Sequence, residues 1–278
     1  MTYRDILVQA DTTTPSLTRS RLAAQLAGRF GAHLTGVFLK TEFLRQYMVP
    51  EAISGLPAAE IDRLVKEHED AVSEAAEHAR LSFEAAAAQA GVSSDWLVVS
   101  GDTPEDLLAC ARRIDLAVLP TATTPNLGQQ RITAAEVALG GGGPVLVVPD
   151  TVTEAQFGKR VLIAWNGSKE ASRALRDAWP LIQQADAVHV LIVSPHGERG
   201  PESLLQRHLE RHGCDANIIV DRSDDASAGE VIRQQIRALN VDLVVMGLYG
   251  HARVQELVLG GVSRDLLKSS PAPLLVSH

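Results

Sequence analysis

The chain has 278 residues, 45% of them apolar and 22% charged, with two cysteines and a formal charge of −8. Its apolar content excludes a disordered chain, and its acidic balance gives no electrostatic ground for nucleic acid or an anionic membrane surface as partner. Aromatic residues supply only 4%, so the core must be built from Ala, Val, Leu and Ile, as suits parallel strands under Ala-rich helices.

The chain reads as one unit written twice. The first copy opens with residues 6–39, a short apolar run, a polar turn holding Asp11, an amphipathic helix pattern and a second apolar run. A long segment, 41–94, is then inserted. Its latter part predicts a strong helix with Gly91 as C-cap, and Ile61, Leu64, Val65 and Val72 as its apolar stripe. The stretch 43–57 is richer in apolar residues than a loop needs, so the insertion is expected to cover a site or to supply a dimer surface. After GDTPEDLLACA (101–111) come DLAVLP (115–120), a polar loop and GGPVLVVP (142–149). Residues 150–158 are polar and aperiodic, which places a linker there and domains at 1–150 and 158–278.

The second copy repeats the plan. Strands are predicted at 160–165, 187–193, 215–220, 241–246 and 273–277, and helices near 168–184, 200–213, 227–239 and 260–269. Ser168 can cap the first of these helices, whose stripe is Ala171, Leu175, Ala178 and Ile182. Alternation of strand and helix predicts an α/β fold with parallel sheets, two tandem five-stranded sandwiches. Each copy ends in an apolar strand, which at a sheet edge needs a cover.

Ligands of such sheets sit beyond the carboxyl ends of the strands, where strand order reverses. In the second copy that crevice gathers Trp165-Asn166-Gly167-Ser168 and the stretch 247–267. Gly247 and Gly250 allow a tight turn off the strand and leave room for a ligand against the main chain. Gly260 and Gly261 lead into a helix whose free amides, with the Ser263 hydroxyl, suit a phosphate.

Gly247-x2-Gly250-x9-Gly260, with its flanking strand and helix, resembles the nucleotide loop of the universal stress protein (UspA) family. The likeness extends over both copies, and the 101–111 stretch is similar to the family segment entering its third helix. The resemblance implies a Rossmann-like, adenine-nucleotide-hydrolase-like fold, with the last strands of two domains paired across a twofold axis as an internal pseudo-dimer. It also implies a cytoplasmic, non-catalytic stress-response factor taking ATP or ADP in its second domain only. Adenine would lie near Asn166, and the phosphates over Gly247, Gly250, Gly260, Gly261 and Ser263. Asn166 stands where nucleotide-binding members carry Asp, and Gly261 where they carry Ser or Thr. Asn still offers a donor and an acceptor, and Gly261 an amide. The first copy keeps the acid, Asp11, but has Pro120 and Thr123 where glycines belong, which reads as a degenerate site.

Other constellations point elsewhere. His208 and His212, with Cys214 beyond, have metal-ligand spacing, yet Arg207, Glu210 and Arg211 mark a charged outer helix face, and no metal is expected. Cys110 and Cys214 read as small buried residues of a reducing cytoplasm. His251 and Arg253 lie within the glycine loop. No basic start precedes an apolar run, and no run of about eighteen apolar residues occurs, so neither a secretory signal nor a membrane span is expected. No nucleophile is paired with a base at a known spacing, and AWNGSKE (164–170) lacks the Ser-Gly-Gly loop of adenylating enzymes. The competing reading is a nucleotide-independent interaction module on the same fold.

Overall fold

The computed structural model describes residues 2–40, 56–100, 104–121, 132–152, 157–194, 202–222, 227–248 and 261–278. The first half runs β1 (Asp5–Gln9), α1 (Thr14–Phe30), β2 (His33–Lys40), α2 (Ala58–Ala90), β3 (Ser94–Ser100), α3 (Pro104–Ala111), β4 (Leu116–Pro120), α4 (Ala134–Gly140) and β5 (Val145–Val148). The second half runs β6 (Arg160–Ala164), α5 (Lys169–Asp177), α6 (Trp179–Ile182), β7 (Ala187–Val193), α7 (Glu202–Arg211), β8 (Ala216–Asp221), α8 (Ala228–Ala238), β9 (Leu243–Gly247), α9 (Gly261–Ser269) and β10 (Leu274–Ser277).

The caps explain where the helices begin and end. Thr13 and Ser168 sit in extended backbone, and their hydroxyls accept from the amides of Ser16 and Ala171. Gly31 and Gly91 close α1 and α2 in the left-handed conformation, at φ +61° and +66°. One expectation fails here. The helix predicted over 168–184 divides at Ala178 into α5 and α6. Pro180 has no amide hydrogen to continue the ladder, so it sits in the first turn of a new helix instead.

All ten strands form one sheet in the order β3-β2-β1-β4-β5-β10-β9-β6-β7-β8. Each half is parallel and has the same internal order. The halves meet where β5 and β10 pair antiparallel, with Leu274 opposite Val147, Leu275 opposite Leu146 and Val276 opposite Val145. The final apolar strands thus cover each other's edges. Because the pairing is antiparallel, the carboxyl ends of the two halves open on opposite edges of the sheet.

Helices cover both faces. Residues of α1, α2, α5, α6 and α7 pack over one face around Val8, Val118, Leu146, Ile163 and Leu275. Residues of α3, α4, α8 and α9 pack over the other around Leu7, Leu119, Val147, Leu162 and Val276. Both apolar layers run unbroken across the seam. On α2 the buried stripe is His68, Val72, Ala76, Ala79, Phe83, Ala86 and Ala87, while Ile61, Leu64 and Val65 are only half-buried.

The repeat is visible in detail at the amino ends of the strands. Asp115 Oδ2 accepts from the Arg4 and Asp5 amides at 2.7 and 3.1 Å. Its counterpart Asp242 accepts from the amides of Gly158, Lys159 and Arg160 at 2.9–3.1 Å. In each half one aspartate before the fourth strand ties down the entry to the first.

Candidate functional site

In the second half the strand order reverses between β6 and β9, whose following helices α5 and α9 lie on opposite faces. The crevice at their carboxyl ends is the site that the topology offers. Its first wall is the turn 165–168. Asn166 Oδ1 accepts from the Ser168 amide at 3.1 Å, and Ser168 Oγ from that of Ala171 at 3.1 Å. Gly167 between them stands at φ +75° with no atom within 4 Å of an added Cβ. Its conformation requires glycine, and its space does not.

Gly247 is the reverse case and corrects the reading of it as a turn glycine. It ends β9 without a positive φ, and a Cβ there would lie 2.4 Å from the Ala171 nitrogen and from the Glu170 carbonyl carbon. The close approach it permits is that of the first turn of α5. That turn also brings Glu170, which sequence reasoning did not single out. Its side chain is 5% exposed and lies 3.4 Å from Lys169 Nζ. Burial pushes its pKa up, but bonds from its own amide, Ser168 and Lys169 outweigh this and leave it below the usual carboxylate value. The crevice wall therefore carries a negative charge.

The second wall is the start of α9. Gly261 is its first residue, with nothing within 4 Å of an added Cβ, and Ser263 is buried in its first turn. Gly250 and Gly260, with His251 and Arg253, lie outside the described residues. The first turn of α5, just after Asn166, packs on Gly247, while Gly261 and Ser263 lie in the first turn of α9.

The first half resolves its corresponding crevice differently. Asp11 matches Asn166, two residues before the capping residue in each half. Its Oδ1 accepts from the Thr13 amide at 2.7 Å and from the Thr13 hydroxyl, and its amide donates to Ser16 Oγ at 2.7 Å. Its Oδ2 meets Arg19 Nη2 at 2.9 Å, and Arg19 Nε donates to the Gln9 carbonyl at 2.8 Å. Both side chains are almost wholly buried. Burial draws the arginine pKa down, while Asp11 opposes that shift. The acid is present but already paired. The signal for this was a basic residue on the buried stripe of α1, between Ser16 and Leu22; its counterpart in α5 is Ala174. The Thr123 position lies outside the described residues, and Pro120 ends β4.

His208 and His212 have ring centroids 4.7 Å apart, and His212 meets Trp179 edge-on at 4.9 Å. Cys214 is buried in the apolar layer, and Cys110 is half-buried. Among the described residues no helix is long and apolar enough to cross a membrane.

Comparison with known proteins matches residues 158–278 to the universal stress protein family model. The same name is borne by the curated relative Slr1230 of Synechocystis sp., 26% identical over 137 residues. The family match thus covers the second half of the chain, residues 158–278. The match to Slr1230 spans 46% of this chain and 46% of that relative, so it covers about half the relative's length. Among solved structures, a universal stress protein of Archaeoglobus fulgidus has a TM-score of 0.74 at 17% identity, covering 98% of this chain and 97% of that one. A candidate universal stress protein of Pseudomonas aeruginosa has a TM-score of 0.58 at 16% identity, covering 99% and 93%. Those two likenesses establish the fold: an α/β universal stress protein architecture running the length of the chain.

Proposed function

We propose that the chain is a universal stress protein of two tandem domains, 1–150 and 158–278, and that the second is a non-catalytic, cytoplasmic sensor of ATP or ADP. The observation that carries the reading is the asymmetry of the two crevices. In the first half the acid at the end of β1 is held by the buried Arg19. In the second, Asn166 is half-exposed and its amide group has no hydrogen-bond partner among the described residues, and no described atom lies within 4 Å of a Cβ added at Gly261. Adenine and ribose would be read by Asn166, and the phosphates by Gly250, Gly260, Gly261 and Ser263, with Gly247 keeping α5 close behind. Glu170 disfavours extra negative charge nearby, which argues for modest affinity.

Isothermal titration with ATP and ADP tests this. Wild type should bind one nucleotide per chain, and Asn166→Asp should bind at least as tightly by accepting from the ribose hydroxyls. Absence of heat and of any rise in melting temperature under excess ATP would discard the sensor reading and leave a nucleotide-independent interaction module.

A further inference from the structure

The turn that presents Asn166 to the crevice has a second side. Trp165, one residue earlier, lies on the opposite face of the sheet, packed against the apolar layer beneath α5 and α7. Between those two helices is a cavity of about 590 Å³, lined by Trp165, Gly167, Leu175, Ile192, Leu204 and Leu205 and by the polar groups Ser172, Arg176, Glu202 and His208. It shares Trp165 and Gly167 with the 165–168 turn, but none of its lining residues comes from β9 or α9.

The cavity's chemistry is specific. Its interior is an indole and aliphatic side chains, of which Ile192 and Leu205 are buried. Leu204, at 58% exposure, is the most exposed large apolar residue among those described, and it stands on the rim. It stands there among the exposed polar residues Ser203, Gln206, Arg207 and His208 of the same helix. The charges at the mouth are unequal in what they lack. Glu202 has Arg222 at 3.9 Å. Arg176 donates only to neutral groups on its own helix, the carbonyl and hydroxyl of Ser172 at 3.2 and 3.1 Å, and forms no ion pair among the described residues. A guanidinium is suited to an anion that presents two oxygens, which it can hold with two parallel bonds.

We infer that this cavity is a second ligand site, for a small amphipathic anion. The apolar or aromatic body would lie against Trp165, Leu175 and Leu205, with a carboxylate or sulfonate held at the mouth by Arg176 and Ser172. The volume lies within the range of small-molecule pockets, roughly 300–1,000 Å³.

The probe for the test is 8-anilinonaphthalene-1-sulfonate, which joins an aromatic body to one anionic group, titrated against the full chain by its fluorescence. Wild type should bind it saturably at one site, and Arg176→Gln, which removes the charge and keeps an amide donor, should weaken it by about tenfold, the value of one charge-assisted contact. Leu204→Glu adds an anion to the rim without disturbing the core and should weaken it further. Uncharged N-phenyl-1-naphthylamine should bind more weakly than the sulfonate to wild type and equally to wild type and Arg176→Gln. Excess ATP should leave the probe bound. Equal affinity of wild type and Arg176→Gln for the sulfonate, or displacement of the probe by ATP, would overturn the assignment.

Discussion

Arg19 and Asp11 form a fully buried pair whose worth lies in its completeness. Removing one partner leaves a charge in an apolar layer, so Arg19→Ala should cost about 3–5 kcal/mol in chemical denaturation. Asp11→Ala should cost a similar amount and leave ATP affinity unchanged, since its crevice is on the opposite edge. Replacing both, with Asp11→Asn and Arg19→Met, should recover most of the loss. Asp177 shows the opposite balance. Its Oδ2 is buried without a hydrogen-bond partner among the described residues, and Arg173 Nε is 3.7 Å away. Burial raises its pKa above the ordinary value, with the nearby Ser277 hydroxyl, Arg173 and Arg176 opposing. The folded state therefore holds this proton more tightly than the unfolded chain does. Its strain is absent below the ordinary carboxylate pKa, about 4, and grows as pH rises through the raised value. Asp177→Asn should accordingly stabilise the protein near neutrality, with the gain vanishing in the acid range; urea unfolding at several pH values reads both.

At the scale of elements, two glycines near the same crevice predict different responses. Gly167→Ala meets no atom but must hold a left-handed backbone, a cost of about 1–2 kcal/mol that leaves α5 in place. Gly247→Ala puts a methyl group 2.4 Å from backbone atoms of Glu170 and Ala171. Helix α5 must shift, so about 1–3 kcal/mol of stability should be lost together with any affinity that depends on Asn166. Thermal unfolding and titration of both variants separate the two causes. The same elements show what was legible in the sequence. Strand spans, the Ser168 cap and the Gly91 terminus were readable because each is fixed by local chemistry, period two or 3.6 and a single capping residue. The capping box from Thr133 to Glu136 that starts α4 was equally local, and it is fully formed here. What the sequence hid was tertiary. Gly247 looked like a turn residue because its neighbour in space, α5, is some eighty positions earlier in the chain. Arg19 drew no reading from the sequence, because the burial of its partner is a property of the packed layer.

Across the whole molecule, the seam decides whether two halves behave as one. Their strands pair at β5 and β10, and side-chain contacts reinforce the pairing on both sides. The Tyr3 hydroxyl donates to the Asp177 carbonyl at 2.6 Å, Arg173 to the Gly142 carbonyl, and Arg29 to the Phe157 carbonyl at 3.0 Å and to Gln184. Each bond ties a first-half element to the linker or to the second half. The apolar layers on both faces are continuous across the same line, so neither half can unfold without exposing the flank of the other. A chain with separable domains would melt in two steps; this one should melt in one, with calorimetric and van't Hoff enthalpies equal. Leu275 makes the test local, because it is completely buried between Leu146 of β5 and Val245 of β9. Leu275→Ala should remove about 2–5 kcal/mol and move the single transition down as a whole. If instead one half melts early while the other keeps its wild-type midpoint, the seam is a contact between independent domains rather than a shared core.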